Sequence, residues 1–313
     1  MELRKLGKSG LKVSKVGLGC NNFGGRVDLE GTRAVVHQAL DSGITLFDTA
    51  DIYGNRGGSE SLLGEVLGDR RKEIVLATKF GGGMSDSKYD GGASRRHVLN
   101  AAEASLNRLK TDWIDLYQLH FPDEDTPIEE TLSALDSLVQ SGKVRYIGCS
   151  NVPAWMVVDS IWLSRLKGWS AFVSYQDEYS LLVRTPEKEL IPMARQFGLG
   201  LLPYFPLASG LLTGKYKQGE AMPEGARLTV SKGMADRYMT EKNWAIVGGL
   251  SKFAEDHGHS LLELAFSWLA AQPTVSSVIA GATKPEQAAT NATAADWELT
   301  AGDLDEVKKI LEA

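Results

Sequence analysis

Eight runs of apolar and β-branched residues recur along the 313-residue chain, and a helical pattern follows each of them. The strand candidates cover 15–19, 44–48, 73–79, 113–120, 144–150, 171–176, 199–204 and 275–281. Helical patterns fall near 29–42, 58–67, 94–109, 127–141, 153–166, 187–197, 260–271 and 285–294. Such alternation makes the strands parallel, and eight units give an α/β fold, a (β/α)8 TIM barrel, as the first reading. An open doubly wound sheet is the alternative. No Pro/Ser-rich linker or internal charge block divides the chain, so residues 1–313 read as a single barrel domain.

Two pieces stand outside the repeat. Residues 2–13 read as an N-terminal hairpin turning at Ser9-Gly10, placed to close the barrel's bottom. Residues 205–257 form a long loop after the seventh strand, helical near 240–257, and long loops at this end of a barrel build or cover the pocket. Within the repeat, Thr126-Pro127-Ile128-Glu129 predicts a capping box with Pro127 at the first helical position. Leu132, Leu135, Leu138 and Val139 then make one apolar face, and Gly142 ends the helix. The stretch DLDEVKKILEA, ending at Ala313, is helical in pattern and leaves little tail to fold over a pocket.

Net charge is −6 and no basic run occurs, which argues against nucleic acid as the main partner. The two cysteines, Cys20 and Cys149, sit in no CxxC or Cys/His cluster and fit a reducing compartment. His257 and His259 lack carboxylate or cysteine partners at metal-ligand spacing, so no metal site is expected. The N-terminus has no apolar signal core and no run approaches a membrane span of about 20 residues. A cytoplasmic protein with no membrane or nucleic-acid partner is the expectation, its oligomeric state open.

Four polar side chains stand where apolar strands run out: Asp48 and Tyr53 in ITLFDTADIYG, Lys79 in EIVLATKFG and His120 in IDLYQLHFPD. Each has an ordinary explanation, as turn cap, loop aromatic, paired cation or satisfied histidine. Their conjunction at the mouths of strands two, three and four points instead to chemistry, because barrel active sites collect there. A carbonyl reduction needs an acid aimed at the carbonyl oxygen. Tyrosine, with a pKa near 10, needs help, and a nearby ammonium lowers that value. On this reading Tyr53 donates the proton, Lys79 acidifies it, Asp48 holds Lys79 and His120 orients the substrate oxygen.

The motifs FDTADIYG, LATKFG, DLYQLH, IGCSN and GLLTGKY, in this order across essentially the whole chain, resemble those of the aldo-keto reductase superfamily. The likeness is greatest to its bacterial branch related to potassium channel β subunits. That resemblance implies a (β/α)8 barrel, a nicotinamide cofactor held without a Rossmann domain, and the tetrad Asp48, Tyr53, Lys79 and His120. By the same similarity, Ser150 and Asn151 contact the nicotinamide carboxamide with help from Gln176, and Tyr204 stacks on the ring. The backbone of Phe205, Pro206 and Leu207 lines the pyrophosphate, while Lys215 and Arg227 add positive charge. Gly281, Thr283, Lys284, Gln287 and Asn291 hold the adenosine end; Cys20, Asn21 and Asp48 lie beside the nicotinamide and its ribose.

Independent signals bear on the cofactor. GLGCNNFGG (17–25) fails as a Rossmann fingerprint, since Asn22 takes the third glycine's place and no helix starts from the turn. GATKPEQAATN (281–291) suits the usual barrel phosphate site, a glycine turn leading to Pro285 at a helix N-terminus. Lys284 and Arg227 favour NADPH, whose extra 2′-phosphate calls for cations. The expected activity is NADPH-dependent reduction of an aldehyde or ketone, a small-molecule carbonyl substrate. The alternatives are a dehydrogenase working oxidatively and a cofactor-sensing regulatory subunit.

Departures from the family pattern also matter. Cys20-Asn21 replaces a frequent Thr-Trp, Phe205 a small polar residue and Thr290 a common Glu before Asn291. These suggest a roomier site for bulky carbonyls and leave adenine recognition open.

Overall fold

The computed structural model describes residues 1–312; Ala313, the last residue of the expected C-terminal helix, lies outside the described residues. Strands β1 (Leu3–Lys5) and β2 (Lys12–Ser14) pair antiparallel, with Leu6 N donating to Leu11 O across the turn. The barrel strands are β3 (Val16–Gly19), β4 (Leu46–Asp48), β5 (Val75–Phe80), β6 (Ile114–Leu119), β7 (Val144–Ser150), β8 (Phe172–Glu178), β9 (Gly200–Tyr204) and β10 (Val278–Gly281). All eight run parallel, in the order β10-β3-β4-β5-β6-β7-β8-β9. A parallel bridge between Leu201 and Val275 joins the ends and closes the ring. The (β/α)8 reading is therefore correct and the open sheet is excluded.

Helices wrap the strands: α1 (Leu29–Asp41), α2 (Tyr53–Leu67), α3 (Arg95–Leu109), α4 (Ile128–Gln140), α5 (Ala154–Lys167) and α6 (Leu190–Phe197) follow β3 to β8. The long loop after β9 carries α7 (Arg227–Val230), α8 (Lys232–Tyr238) and α9 (Glu241–Asp256); α10 (Leu261–Ala270), α11 (Pro285–Thr293) and α12 (Ala301–Glu312) complete the layer. Pro285 takes the first turn of α11, as its fixed φ allows.

Side chains along each strand alternate between barrel interior and helix layer, so one face can be read by counting in twos. Leu46, Ala77, Leu116, Leu202 and Ile279 form an apolar plug low in the barrel, sealed from below by Leu6 and Val13 of the hairpin. Two residues further up the same strands stand Asp48, Lys79, Gln118, Tyr204 and Gly281. Apolar below and polar above, the interior changes character within one strand pleat. The opposite faces pack on the helices; burying each Leu, Val or Phe there contributes about 1.5–3 kcal/mol.

Glycines permit two close approaches. At Gly148, where the β7–β8 register shifts, a Cβ would lie 2.4 Å from Ser174 Oγ. At Gly7, with φ of +58°, it would lie 2.5 Å from Gly198 O, so only glycine lets the hairpin plug meet the barrel floor.

Two local expectations are corrected. No capping box forms at α4: Pro127 is the N-cap, and Thr126 Oγ1 donates to Asp123 Oδ2 at 2.8 Å, while Glu129 pairs with Lys167. Asp123 is already anchored by Ala93 N at 2.6 Å, and its carboxylate captures the hydroxyl. The eighth strand begins at Val278 rather than 275, because Ser276 Oγ donates to Lys5 O at 2.9 Å, tying this stretch to the hairpin.

Candidate active site

Lys79 lies fully buried on β5, with 0% exposure, and its ammonium has three acceptors. It donates to Asp48 Oδ2 at 2.7 Å, to Thr49 O at 2.9 Å and to the Tyr53 hydroxyl at 3.3 Å. Asp48 is held from its other side, where Oδ1 accepts from Gln176 Nε2 at 2.9 Å and Gln118 Nε2 at 3.2 Å. Burial works against the Lys79 ammonium, but Asp48 and then Tyr53 more than offset it, and its pKa stands above the ordinary lysine value.

Tyr53 reaches this group because α2 does not begin as a regular helix. Residues 54–57 all have positive φ, forming a left-handed turn that precedes the regular helical turns. A Cβ on Gly54 would sit 2.3 Å from Phe23 O, so the turn needs glycine there. The tyrosine ring meets the His120 ring edge-on at 5.6 Å between centroids, and Phe121 stacks on His120 at 4.2 Å.

The phenol differs from expectation. Burial raises its pKa more than Lys79 lowers it, so Tyr53 stands above its ordinary value and keeps its proton at neutral pH. Lys79 limits the rise rather than reversing it. His120 is driven down to about 2, by burial first and the Lys79 ammonium second, and its Nδ1 has no partner among the described residues. The imidazole is neutral throughout the working range.

Behind the tetrad lies a buried carboxyl missed by sequence reasoning. Neither Asp51 oxygen has a hydrogen-bond partner among the described residues, and burial followed by the Glu60 charge pushes its pKa up to about 7. Glu60 itself accepts from Thr78 Oγ1 at 2.5 Å and Arg108 Nε at 2.7 Å.

Asp51 and His120 have opposite linkage. Below roughly pH 6.5 the unfolded histidine binds a proton that the folded one refuses, so His120 weakens folding as pH falls. Between roughly pH 4 and 7 folded Asp51 keeps a proton the unfolded chain has lost, so it weakens folding as pH rises. Each slope approaches about 1.4 kcal/mol per pH unit, and they largely cancel between about pH 4 and 6.5. Removing one should expose the other: His120→Asn should lose stability from pH 4.5 to 6.5 relative to the parent, and Asp51→Asn should gain it. Urea midpoints across that range measure both, and parallel profiles for the parent and both variants would contradict the assignment.

Above the tetrad opens a cavity of about 780 Å³. Asp48, Tyr53 and His120 line its floor, while Lys79 lies beneath it. Cys20, Asn21, Ser150, Asn151, Gln176, Tyr204, Phe205, Pro206 and Leu207 surround it, as do Lys215, Arg227, Gly281, Thr283, Lys284, Gln287 and Asn291. Asn151 is already engaged: Nδ2 donates to His120 O and Ser150 Oγ, each at 3.0 Å, and Oδ1 accepts from the Tyr204 hydroxyl at 2.9 Å. Gln287 Oε1 accepts from Thr283 N at 2.8 Å, and Thr290 turns back onto its own helix, donating to Glu286 O.

The cavity also has lining residues that sequence reasoning passed over, chiefly Arg26, Asn22 and Phe121. Arg26 reaches across to the long loop, donating to Gly225 O at 3.0 Å. Arg227 donates to Asn22 Oδ1 at 3.1 Å and lies 5.5 Å from the Phe205 ring centroid. Arg26, Lys215 and Arg227 have no carboxylate partner among the described residues. Burial and then repulsion from the neighbouring cations depress Lys215 and Arg227. A group bearing several negative charges would relieve that strain, so these residues fit a dinucleotide pyrophosphate or phosphate.

The family model for the aldo/keto reductase family matches residues 15–312. The chain belongs to this family. As an aldo/keto reductase it is an oxidoreductase dependent on a nicotinamide cofactor. It is 36% identical to a probable voltage-gated potassium channel subunit beta of Arabidopsis thaliana, over 100% of this chain and 97% of that protein. It is 37% identical to an L-glyceraldehyde 3-phosphate reductase of Escherichia coli O157:H7, over 92% of this chain and 85% of that one. A versiconal hemiacetal acetate reductase of Aspergillus parasiticus is 33% identical, over 91% and 90%. In this aldo/keto reductase no described helix is long and apolar enough to cross a membrane.

Proposed function

We propose that the chain, acting as one barrel domain, reduces an aldehyde or ketone to an alcohol with NADPH, and that Tyr53 supplies the proton. The observation that carries this reading is a single ammonium, Lys79, bonded to both Asp48 and the Tyr53 hydroxyl beneath a cation-rimmed cavity. The cofactor, when bound, supplies hydride to the carbonyl carbon. Everything else is the protein's work.

Tyr53 enters the reaction protonated, because burial raises its pKa. As charge develops on the carbonyl oxygen the phenol gives up its proton, and Lys79 stabilises the phenolate left behind. Asp48 keeps Lys79 charged and fixed. Neutral His120 donates a second hydrogen bond to the same oxygen; with Nδ1 facing no acceptor, the tautomer carrying its proton on Nε2 suits that role. Reversal of these steps oxidises an alcohol, with the Tyr53 phenolate as base.

Ser150, Asn151 and Gln176 would hold the carboxamide and Tyr204 the ring face; Lys215, Arg227 and Arg26 would meet the phosphates. Lys284, exposed at the N-terminus of α11, joins them in favouring NADPH. A cytoplasmic location accords with two free, buried cysteines.

Cofactor binding followed by fluorescence, and cofactor oxidation with aromatic aldehydes, sugars and bulky ketones, test the proposal together. NADPH should bind more tightly than NADH. Its affinity should fall with added salt, and Arg227→Ala should weaken NADPH by about tenfold or more. Equal affinity for both cofactors at every salt concentration would refute the phosphate preference. The likeness to channel β subunits supports a second reading, a cofactor-sensing subunit, which would bind NADPH tightly and turn over none of the carbonyls.

A further inference from the structure

β8 carries two side chains on the same interior face with different duties. Gln176 points into the tetrad and donates to Asp48. Glu178, two residues on, is outside the cavity lining and buried at its carboxylate. Its Oε1 accepts from the hydroxyl of Tyr238, and Oε2 accepts from Arg237 Nη2 at 2.5 Å. Both donors end α8, in the long loop that roofs the cavity. Tyr238 is as buried as a core residue, at 1% exposure, although it belongs to a loop excursion.

The loop is also braced internally. Leu228 N donates to the Tyr216 hydroxyl at 3.1 Å, Ser209 Oγ contacts Met234 Sδ at 3.4 Å, and Asn243 Nδ2 donates to Tyr238 O at 2.8 Å. Arg26 and Arg227 bond this cap to the segment after β3, and Glu178 adds a buried, charged tie to the barrel wall, on the strand that also reaches Asp48. Arg227 and Lys215 ride on that cap. Held in place, the cap presents both cations to the cavity.

We propose that Glu178 is a positioning residue: its carboxylate latches the cap through Tyr238 and Arg237, and this latch sets how long the cofactor stays bound. The second half rests on the nicotinamide reading above; the first does not. Charge-assisted hydrogen bonds to a buried carboxylate are stronger than neutral ones, so the amide isostere should loosen the latch without altering its shape.

The test uses the full chain with Glu178→Gln, Tyr238→Phe and the double variant. Tryptic cleavage of the cofactor-free protein within 205–257 should be about tenfold faster in Glu178→Gln, the barrel remaining intact. NADPH release in stopped flow should accelerate by a similar factor, raising KM for NADPH while KM for the carbonyl stays unchanged. The double variant should be no worse than the worse single one, as coupled partners require. Wild-type cleavage rates in both single variants, or strictly additive effects in the double, would overturn the latch. If the parent bound neither nicotinamide, the functional reading and the retention role would fall, and cleavage alone would still decide whether Glu178 holds the cap.

Discussion

Tyr53→Phe should bind NADPH as the parent does and lose about 10²–10⁴-fold in kcat for carbonyl reduction, the range that a positioned general acid contributes. The change deletes one hydroxyl, which accepts from Lys79 at 3.3 Å, and leaves the ring, its edge-on contact with His120 and the left-handed turn at 54–57 in place. Lys79 keeps its bonds to Asp48 and Thr49 O, so the floor of the cavity is not unmade. The loss should therefore fall on the chemical step. Single-turnover rates, with cofactor titrations beside them, separate the two. Full turnover in Tyr53→Phe would remove the proton donor from the mechanism, and a parallel collapse of cofactor affinity would make Tyr53 a binding residue instead.

How far this site was legible depends on how local its causes are. Asp48, Lys79 and His120 announce themselves because each interrupts or ends an apolar parallel strand, where a charged or polar group needs a reason. The same period of two would have found Gln118, two residues before His120 and on the same interior face, yet glutamine inside an apolar run passes for filler. Asp51 was hidden by its surroundings: its raised pKa depends on its burial and on the charge of Glu60, which no local pattern encodes. Arg26 joins the cation group only because the loop after β9 folds back to offer Gly225 O.

The sign of the Tyr53 shift is illegible in the sequence for a related reason. The residue types predict an ammonium that acidifies a phenol, but they do not reveal how much water the phenol loses. Desolvation is a property of the assembled mouth, and here it outweighs the charge. The missed cap at Ser260, whose side chain and Glu263 form a full capping box, shows the reverse situation. That signal is entirely local, whereas the similar one at Thr126 gives way because Asp123 captures its hydroxyl.

Lys79→Met should destabilise the fold by about 3–5 kcal/mol, because it strands the Asp48 carboxylate in the barrel interior without its cation. Two amide donors, Gln118 and Gln176, would remain on Oδ1, but Oδ2 would lose its bond of 2.7 Å. Most of that loss comes from the abandoned charge rather than from any intrinsic strength of the pair. Asp48→Asn combined with Lys79→Met should therefore recover much of the stability, since neither member is then a buried ion. Activity should not return in the double variant, because Tyr53 would still have no ammonium to stabilise its phenolate. Denaturant midpoints on the single and double variants, with kcat measured in parallel, read the two effects separately. If Lys79→Met proved as stable as the parent, Asp48 could not be depending on Lys79 for its charge. On the proposed mechanism the pair serves the chemistry, and the fold bears the desolvation that this placement requires.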